Sequence, residues 1–194
     1  MTTTPLLIGL CGPAGCGKDS VRSVLELKHD FAGISFADPM RDMLRTLLVS
    51  TGSSGDYITR RDLKEQPIPG LGVSYRHMAQ TLGTEWARKC LGEDFWLKVA
   101  GNTLAFLREQ GYRQLVVSDV RFANEAEWIR NQGGEIWMID RPGVAPGRAH
   151  SSECINFRID QVLRNHGTLA KLERTTLDAL ASAKRFAQAG REAA

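Results

Sequence analysis

A short apolar run that ends in a glycine-rich loop constrains the fold of this chain more than any other feature. The run is LLIGL (residues 6–10), and the loop that follows reads CGPAGCGKDS (11–20). An apolar run without polar alternation is typical of a strand that is buried on both faces. From Gly17 onward, apolar residues recur at the i, i+3 and i+4 spacing of an amphipathic helix. The segment therefore predicts a buried parallel strand, a tight loop and a helix in immediate succession.

The loop has the Gly-x4-Gly-Lys spacing of a phosphate-binding P-loop, from Gly12 to Lys18. Its glycines let consecutive main-chain N–H groups turn toward phosphate oxygens, and Lys18 adds a full positive charge. The helix that starts near Gly17 contributes the positive end of its dipole. Asp19 stands where most P-loops have the Ser or Thr that ligates magnesium, and Ser20 follows it. A glycine-rich turn that merely connects a strand to a helix is the alternative interpretation.

Strand patterns alternate with helical patterns along the whole chain. The predicted strands are residues 6–10, 33–39, 114–122, 135–140 and a short segment within 159–167. The predicted helices begin near residue 17 and then cover 40–49, 75–92 with a break at Gly83, 93–111, 124–133 and 168–188, while 50–74 is predicted as a loop or small insertion. This alternation predicts an α/β fold with a parallel sheet and helices on both faces. Because such sheets bind ligands at the carboxyl ends of their strands, the residues just after the strands are the candidates for chemistry.

The composition excludes several classes of protein. With 194 residues, of which 42% are hydrophobic and 24% charged, the chain is long enough for one soluble domain with a sizeable core. A net charge of +3 without a block of lysines and arginines suits an anionic small molecule better than a nucleic acid polymer. No apolar run approaches the roughly 18–20 residues that cross a membrane. Four cysteines without metal or disulfide spacing, and no signal peptide, indicate reduced thiols in a cytoplasmic protein.

An aspartate follows the most strand-like segment of the chain, QLVVSDVRF (114–122). An apolar strand that ends in Asp119 is the arrangement in which P-loop enzymes hold magnesium, and a carboxylate that caps the next helix or turn is the alternative. Arg121 lies two residues further along, and its guanidinium is suited to bind a substrate phosphate. An ion pair with Glu125 is the competing interpretation for Arg121.

Three further groups of polar residues are candidates for binding anions. Arg141 and Arg148 lie in the predicted loop 141–153, where mobile arginines that close over a transferring phosphoryl group stabilise its charge and exclude water. Asp38 ends the second predicted strand, and Arg41 follows it. The predicted helix 75–92 carries a polar stripe at i, i+4 intervals, formed by Arg76, Gln80, Thr84 and Arg88. Solvated loop arginines and a solvated helix face are the alternatives.

Taken together, these segments resemble the deoxynucleoside monophosphate kinases of tailed bacteriophages. The matching segments run in order from residue 6 to about 173 and read GPAGCGKDSV, SFADPMRDML, YRHMAQTLGTEWARKCLGEDFW, VVSDVRFANEAEWIRNQGG and LRNHGTLAKL. Residues 50–74 and the residues after 173 lie outside the resemblance. Small-molecule kinases of this group often have Gly-Lys-Asp in the P-loop, so Asp19 fits the family.

The resemblance implies transfer of the γ-phosphate of ATP to the 5′-phosphate of a deoxynucleoside monophosphate, with Mg²⁺ as cofactor. It implies a three-layer P-loop kinase sandwich with a five-stranded parallel sheet. We expect one domain over residues 1–194, with a monophosphate-binding region at about 38–92 and a lid at about 141–153. The residues implied to hold the ATP phosphates are Gly12, Ala14, Gly15, Cys16, Gly17, Lys18, Asp19 and Ser20. Those implied to flank the adenine are Asn165, Gly167 and Thr168, in a turn where His166 stands at a position that is often Asp.

The resemblance also assigns the remaining candidates. The residues that would face the monophosphate are Asp38, Arg41, Arg76, Gln80, Thr84 and Arg88. The residues that would act in catalysis are Lys18, Asp119, Arg121 and the lid arginines Arg141 and Arg148. Magnesium would be held by Asp119, chiefly through water, with Asp19 and Ser20 as the other candidate ligands.

Two other functions stay open at this point. Dephospho-coenzyme A and phosphomevalonate kinases also have P-loops with Gly-Lys-Asp. The second open function is that of a regulatory module that binds ATP without phosphorylating an acceptor. Such a module has no need for the arginine-bearing lid and the polar stripe. As partners we expect a deoxynucleoside monophosphate, no nucleic acid polymer and no membrane. The protein is expected to be a monomer or homodimer in the cytoplasm, which is that of the host if the chain is phage-encoded.

Overall fold

A parallel sheet organises the part of the chain that the structure describes. The structure is a computed structural model, and it describes residues 6–144 and 156–192. The strands are β1 (Leu6–Cys11), β2 (Phe31–Ile34), β3 (Gln114–Val117), β4 (Glu135–Asp140) and β5 (Gln161–Arg164). Their order across the sheet is β2-β3-β1-β4-β5, so β1 is the central strand. All six residues of β1 are buried, which explains why its sequence is apolar throughout.

Helices connect the strands. They are α1 (Lys18–His29), α2 (Asp38–Ser50), α3 (Asp56–Thr59), α4 (Tyr75–Gln80), α5 (Phe95–Glu109), α6 (Ala123–Asn131) and α7 (Leu169–Glu192). Of these, α1 and α7 cover one face of the sheet and α6 covers the other. On one face Leu10 of β1 packs with Leu25 of α1 and Leu180 of α7. On the other face a Cβ added to Gly9 would lie 2.6 Å from Ile129 of α6. The predicted three-layer α/β sandwich with a five-stranded parallel sheet is therefore confirmed.

The register of the strands brings the ends that matter for binding side by side. Gly9 of β1 is paired with Val117 of β3 on one side and with Ile136 of β4 on the other. Beyond β3, the main-chain N–H of Val120 donates to the carbonyl of Leu10 at 3.1 Å. The segment after β3 therefore runs alongside the end of β1, where the glycine-rich loop begins.

A π-helical segment (Thr81–Leu91) continues α4 without interruption. The predicted break at Gly83 is wrong, because the chain stays helical there and the indole N–H of Trp96 donates to the carbonyl of Gly83 at 2.9 Å. The predicted loop 50–74 contains the short helix α3 and an antiparallel bridge between Pro67 and Ser74. None of the described helices is both long enough and apolar enough to cross a membrane.

Two compact units make up the chain. The first consists of Met1–Ser35 and Gly101–Ala194 and holds the sheet, and the second consists of Phe36–Ala100. The second unit has an apolar core of its own, formed by Leu44, Leu48, Ile58, Ile68 and Tyr75. The region 38–92, expected to bind the monophosphate, lies within the range of this second unit.

Candidate active site

The glycine-rich loop between β1 and α1 has the backbone of a phosphate-binding loop. Gly12 and Gly17 have φ angles of 133° and 114°, a region that residues with a side chain rarely adopt. A Cβ on Gly12 would lie 2.7 Å from the carbonyl oxygen of Ile139. The loop shape therefore depends on glycine at these positions, and the loop leads directly into the N-terminus of α1 at Lys18.

Lys18 folds back over this loop. Its ammonium group donates to the carbonyl oxygens of Gly12 at 2.6 Å and Pro13 at 2.9 Å. An ammonium group has three donors on a flexible stem, so it can exchange such carbonyl contacts for phosphate oxygens. Lys18 thus places a full positive charge at the loop, as its position in the motif predicted.

The described cysteines are all free thiols. Cys11 and Cys16 are buried, and both are free thiols, as is the exposed Cys90. Burial raises the pKa of Cys11 to about 12, so this thiol stays protonated at neutral pH. Cys154, the fourth cysteine, lies outside the described residues.

Asn165 ties the end of β5 to the loop. Its side-chain amide donates to the carbonyl of Cys16 at 2.8 Å, and its main-chain N–H donates to the carbonyl of Asp140 at 2.7 Å. The side chain lies so close to Gly17 that a Cβ there would be 2.6 Å from its Nδ2. Asn165 therefore contacts the P-loop itself, a role that its predicted place beside the adenine does not include.

The other residues of the predicted adenine turn lie between β5 and α7. The hydroxyl of Thr168 accepts from the main-chain N–H of Lys171 at 3.3 Å, at the start of α7. Gly167 lies beside the Lys171 side chain, and His166 lies 3.3 Å from a carboxylate oxygen of Asp140. Their adenine role stays a prediction.

One of the two predicted lid arginines also reaches the loop. The guanidinium of Arg141 donates to the carbonyl of Gly15 at 3.2 Å. Arg141 follows the last residue of β4, so the register of the sheet brings it beside the P-loop. Arg148, and with it most of the predicted lid 141–153, lies outside the described residues. Arg141 therefore adds a second cation to the loop in the described part of the chain.

Asp119 lies just beyond β3 with its carboxylate buried. Its Oδ2 accepts a hydrogen bond from the hydroxyl of Ser35 at 2.6 Å, and both side chains are below one-tenth exposed. Ser35 directly follows β2, and β2 neighbours β3 in the sheet. Ser35 lies inside the predicted strand 33–39, so the sequence pattern does not indicate its position at a strand end.

Arg121 and Glu125 meet through the main chain. A carboxylate oxygen of the buried Glu125 accepts from the main-chain N–H groups of Arg121 at 2.7 Å and Phe122 at 3.0 Å. The guanidinium of Arg121 is exposed and forms no ion pair with another described residue. The predicted alternative of an Arg121–Glu125 ion pair is therefore wrong, because Glu125 is engaged by the backbone as the cap of α6.

The donor set near the loop suits magnesium. Asp119, Asp19 and Ser20 offer hard oxygen ligands, with Asp119 buried, Asp19 exposed and Ser20 half-buried. Within residues 6–144 and 156–192, no three His, Cys, Asp or Glu side chains cluster closely enough to cage a metal ion. Enzymes hold Mg²⁺ through one or two carboxylates together with substrate phosphates, so the side chains of Asp119 and Asp19 are donors of the kind that fits this ion.

The second unit holds the residues that were predicted to face the monophosphate. Arg41 forms an ion pair with Asp38, and Arg76 forms one with Glu65. The stripe positions Arg76, Gln80, Thr84 and Arg88 are all half-buried, whereas the neighbouring residues His77, Thr81, Glu85 and Lys89 are all exposed. The stripe therefore stays on one partly covered side of the helix through the change from α to π geometry.

Comparisons with known proteins agree with one another. A family model described as deoxynucleotide monophosphate kinase matches residues 70–176. The "Putative deoxynucleotide monophosphate kinase" of Acanthamoeba polyphaga mimivirus is 34% identical over 178 residues, which cover 84% of this chain and 90% of that protein. Among solved structures, TT1252 from Thermus thermophilus is 17% identical, with a TM-score of 0.53 over 93% of this chain and 98% of its own. That structural likeness shows a shared fold.

Proposed function

The chain belongs to the deoxynucleotide monophosphate kinase family, and we propose that it transfers the γ-phosphate of ATP to the 5′-phosphate of a deoxynucleoside monophosphate. The products are ADP and a deoxynucleoside diphosphate. The observation that carries the proposal is the loop itself, in which glycines with positive φ turn the backbone and Lys18 holds its ammonium against the carbonyls of Gly12 and Pro13. A loop of this kind binds the phosphates of a nucleoside triphosphate.

The transfer is an in-line displacement at the γ-phosphorus. An oxygen of the acceptor monophosphate forms the new bond to phosphorus, and the bond to the oxygen that bridges to the β-phosphate breaks. The acceptor oxygen is already anionic, so the reaction needs no strong general base. Catalysis then depends on holding the two phosphates in line and on neutralising the charge of the moving group.

Each charged residue has a separate task in this proposal. Lys18 neutralises the β- and γ-phosphates, and the guanidinium groups of Arg121, Arg141 and Arg148 stabilise the charge that spreads over the moving phosphoryl group. Asp119 would hold Mg²⁺ chiefly through water, with Asp19 and Ser20 as further candidate oxygen ligands. When bound, Mg²⁺ neutralises phosphate charge and fixes the orientation of the triphosphate.

The second unit supplies the acceptor site in this proposal. Arg76 and Arg88 lie on the half-buried stripe with two uncharged hydrogen-bonding side chains, Gln80 and Thr84. Partial burial strengthens the attraction between a guanidinium and a phosphate because less water screens it. Arg41 and Asp38 complete the set. The bound acceptor would take the place of the carboxylates that now pair with Arg41 and Arg76.

An ADP-release assay tests the proposal, with the common deoxy- and ribonucleoside monophosphates and a coenzyme A precursor as acceptors. We expect ADP to form from ATP only when a deoxynucleoside monophosphate and Mg²⁺ are both present, with equal amounts of diphosphate formed from the acceptor. If a coenzyme A precursor is phosphorylated and no deoxynucleotide is accepted, the protein is a small-molecule kinase with a different substrate. Slow ADP release that ignores every acceptor would instead support an ATP-binding module.

A further inference from the structure

We propose that Ser35 is a positioning residue, whose hydroxyl holds the carboxylate of Asp119 in the orientation that magnesium binding requires. The inference rests on the proposed function, in which Asp119 binds Mg²⁺. Ser35 does not belong to the P-loop motif. It follows β2, which lies beside β3 in the sheet and not beside β1, the strand that leads into the loop.

The hydrogen bond between Ser35 and Asp119 is short, and both residues are buried. The Oγ–Oδ2 distance is 2.6 Å, and the two side chains are 5% and 8% exposed. A hydroxyl that donates to a carboxylate at this distance forms a charge-assisted hydrogen bond, which is stronger than a neutral one. A buried carboxylate needs such donors because it has lost most of its water.

The backbone fixes both partners to the same pair of strands. Ile34 and Val117, the last residues of β2 and β3, are paired in the sheet, and the main-chain N–H of Ser118 donates to the carbonyl of Ile34 at 3.1 Å. Ser35 directly follows Ile34, and Asp119 lies two residues beyond Val117. Rotation about χ2 of an aspartate has broad minima, so the strands alone leave the carboxylate orientation open. The hydrogen bond from the Ser35 hydroxyl restricts that rotation by fixing the position of Oδ2.

Ser118 offers a matched control one residue away from Asp119. It is 7% exposed, comparable to Ser35, and it follows a strand of the same sheet. Its hydroxyl accepts from the guanidinium of Arg22 at 3.2 Å. Ser118→Ala therefore removes a buried hydroxyl from the same neighbourhood without removing the hydrogen bond to the carboxylate.

The test is the Mg²⁺ dependence of binding, measured calorimetrically with the non-hydrolysable analogue β,γ-imido-ATP. The dissociation constant is determined with Mg²⁺ and again with EDTA, and their ratio reports how much the metal strengthens binding. We expect Ser35→Ala to lower this ratio by about tenfold, the typical effect of removing a partner of a metal ligand.

Binding of the analogue in EDTA should stay as in the wild type, whereas a damaged fold would weaken binding under both conditions. Ser118→Ala should leave both constants unchanged, and Ser35→Thr, which keeps the hydroxyl, should restore the ratio.

The outcomes separate this inference from the proposed function. If Asp119→Asn lowers the ratio and Ser35→Ala does not, the positioning role of Ser35 is wrong and the magnesium role of Asp119 stands. If Asp119→Asn also keeps the wild-type ratio, the magnesium role of Asp119 falls, and that of Ser35 with it. Circular dichroism checks that Ser35→Ala folds. If it does not fold, Ser35→Thr and Ser35→Cys decide the matter, because a thiol is a weak donor. Equal ratios in those two variants would overturn the inference.

Discussion

Lys18 is the residue whose removal should separate activity from folding. Its ammonium contacts main-chain carbonyls of a loop whose shape is set by glycines, so the fold does not depend on it. We expect Lys18→Ala to lower kcat/KM for ATP by about a hundredfold or more, because a charge aimed at the transferring phosphate is lost. Steady-state kinetics measures the loss, and thermal unfolding checks that the fold is retained.

Lys28→Ala is the matched control for this substitution. Lys28 lies in the last turn of the same helix, and its ammonium forms an ion pair with Glu173. The same change there removes a lysine from α1 without removing charge from the loop, and kinetics should stay as in the wild type. Near-normal turnover by Lys18→Ala would contradict the P-loop assignment.

Contacts between residues close in sequence could be predicted, whereas contacts between residues far apart in sequence could not. The place of Lys18 at the loop could be predicted because the loop has a fixed spacing, while its role at the phosphates stays a prediction. The Ser35–Asp119 contact joins residues 84 positions apart, and only the pairing of β2 with β3 brings them together. The contact of Asn165 with Cys16 likewise depends on how β5 ends beside the loop. A pattern along the sequence contains no information of that kind.

Substitution of two glycines outside the loop by alanine tests how the helices and strands are packed. Gly101 lies inside α5, where an added Cβ would lie 3.9 Å from Trp128, an ordinary contact distance. Glycine costs a helix interior about 0.5–1 kcal/mol relative to alanine, so Gly101→Ala should raise the free energy of unfolding by that amount. The melting temperature should rise by about 1–4 °C, measured by differential scanning calorimetry.

Gly134 provides the opposite case, next to the start of β4. A Cβ there would lie 2.7 Å from the carbonyl oxygen of Leu7 and 2.7 Å from the side chain of Ile129. Gly134→Ala should therefore lower the free energy of unfolding by about 1–3 kcal/mol. If Gly101→Ala and Gly134→Ala changed the free energy of unfolding in the same direction and by the same amount, the packing of α6 on β1 would differ from this description.

Element types could be predicted better than element ends. The apolar run of β1 and the pattern EIWMID of β4 locate two strands closely. The predicted strand 33–39 is displaced, because β2 ends at Ile34 and α2 begins at Asp38 with proline in its first turn. The predicted strand 114–122 is too long, because Glu125 draws the backbone of Arg121 and Phe122 into the cap of α6. In both places the start of a helix, with proline in α2 and with the Glu125 cap in α6, prevails over the apolar pattern.

At the scale of the whole molecule, the alternation of strands and helices was enough to predict the layers of the sandwich. It did not predict the division into two compact units, because the second unit is an insertion after β2 whose core is assembled from separate short segments. This division has a functional counterpart in the proposal. ATP is assigned to residues of the first unit, and the acceptor to residues of the second.

Hydrogen exchange read by mass spectrometry tests that assignment on the intact protein. An amide exchanges more slowly when a bound ligand stabilises the structure around it. We expect β,γ-imido-ATP with Mg²⁺ to slow exchange in residues 12–20, and the best acceptor of the activity panel, added alone, to slow exchange in residues 76–88. Arg88→Ala should abolish the second effect, while Lys89→Ala, which changes an exposed neighbour paired with Glu85, should preserve it. Protection of residues 12–20 by the acceptor alone, with 76–88 unchanged, would show that the monophosphate binds at the P-loop and not at the polar stripe.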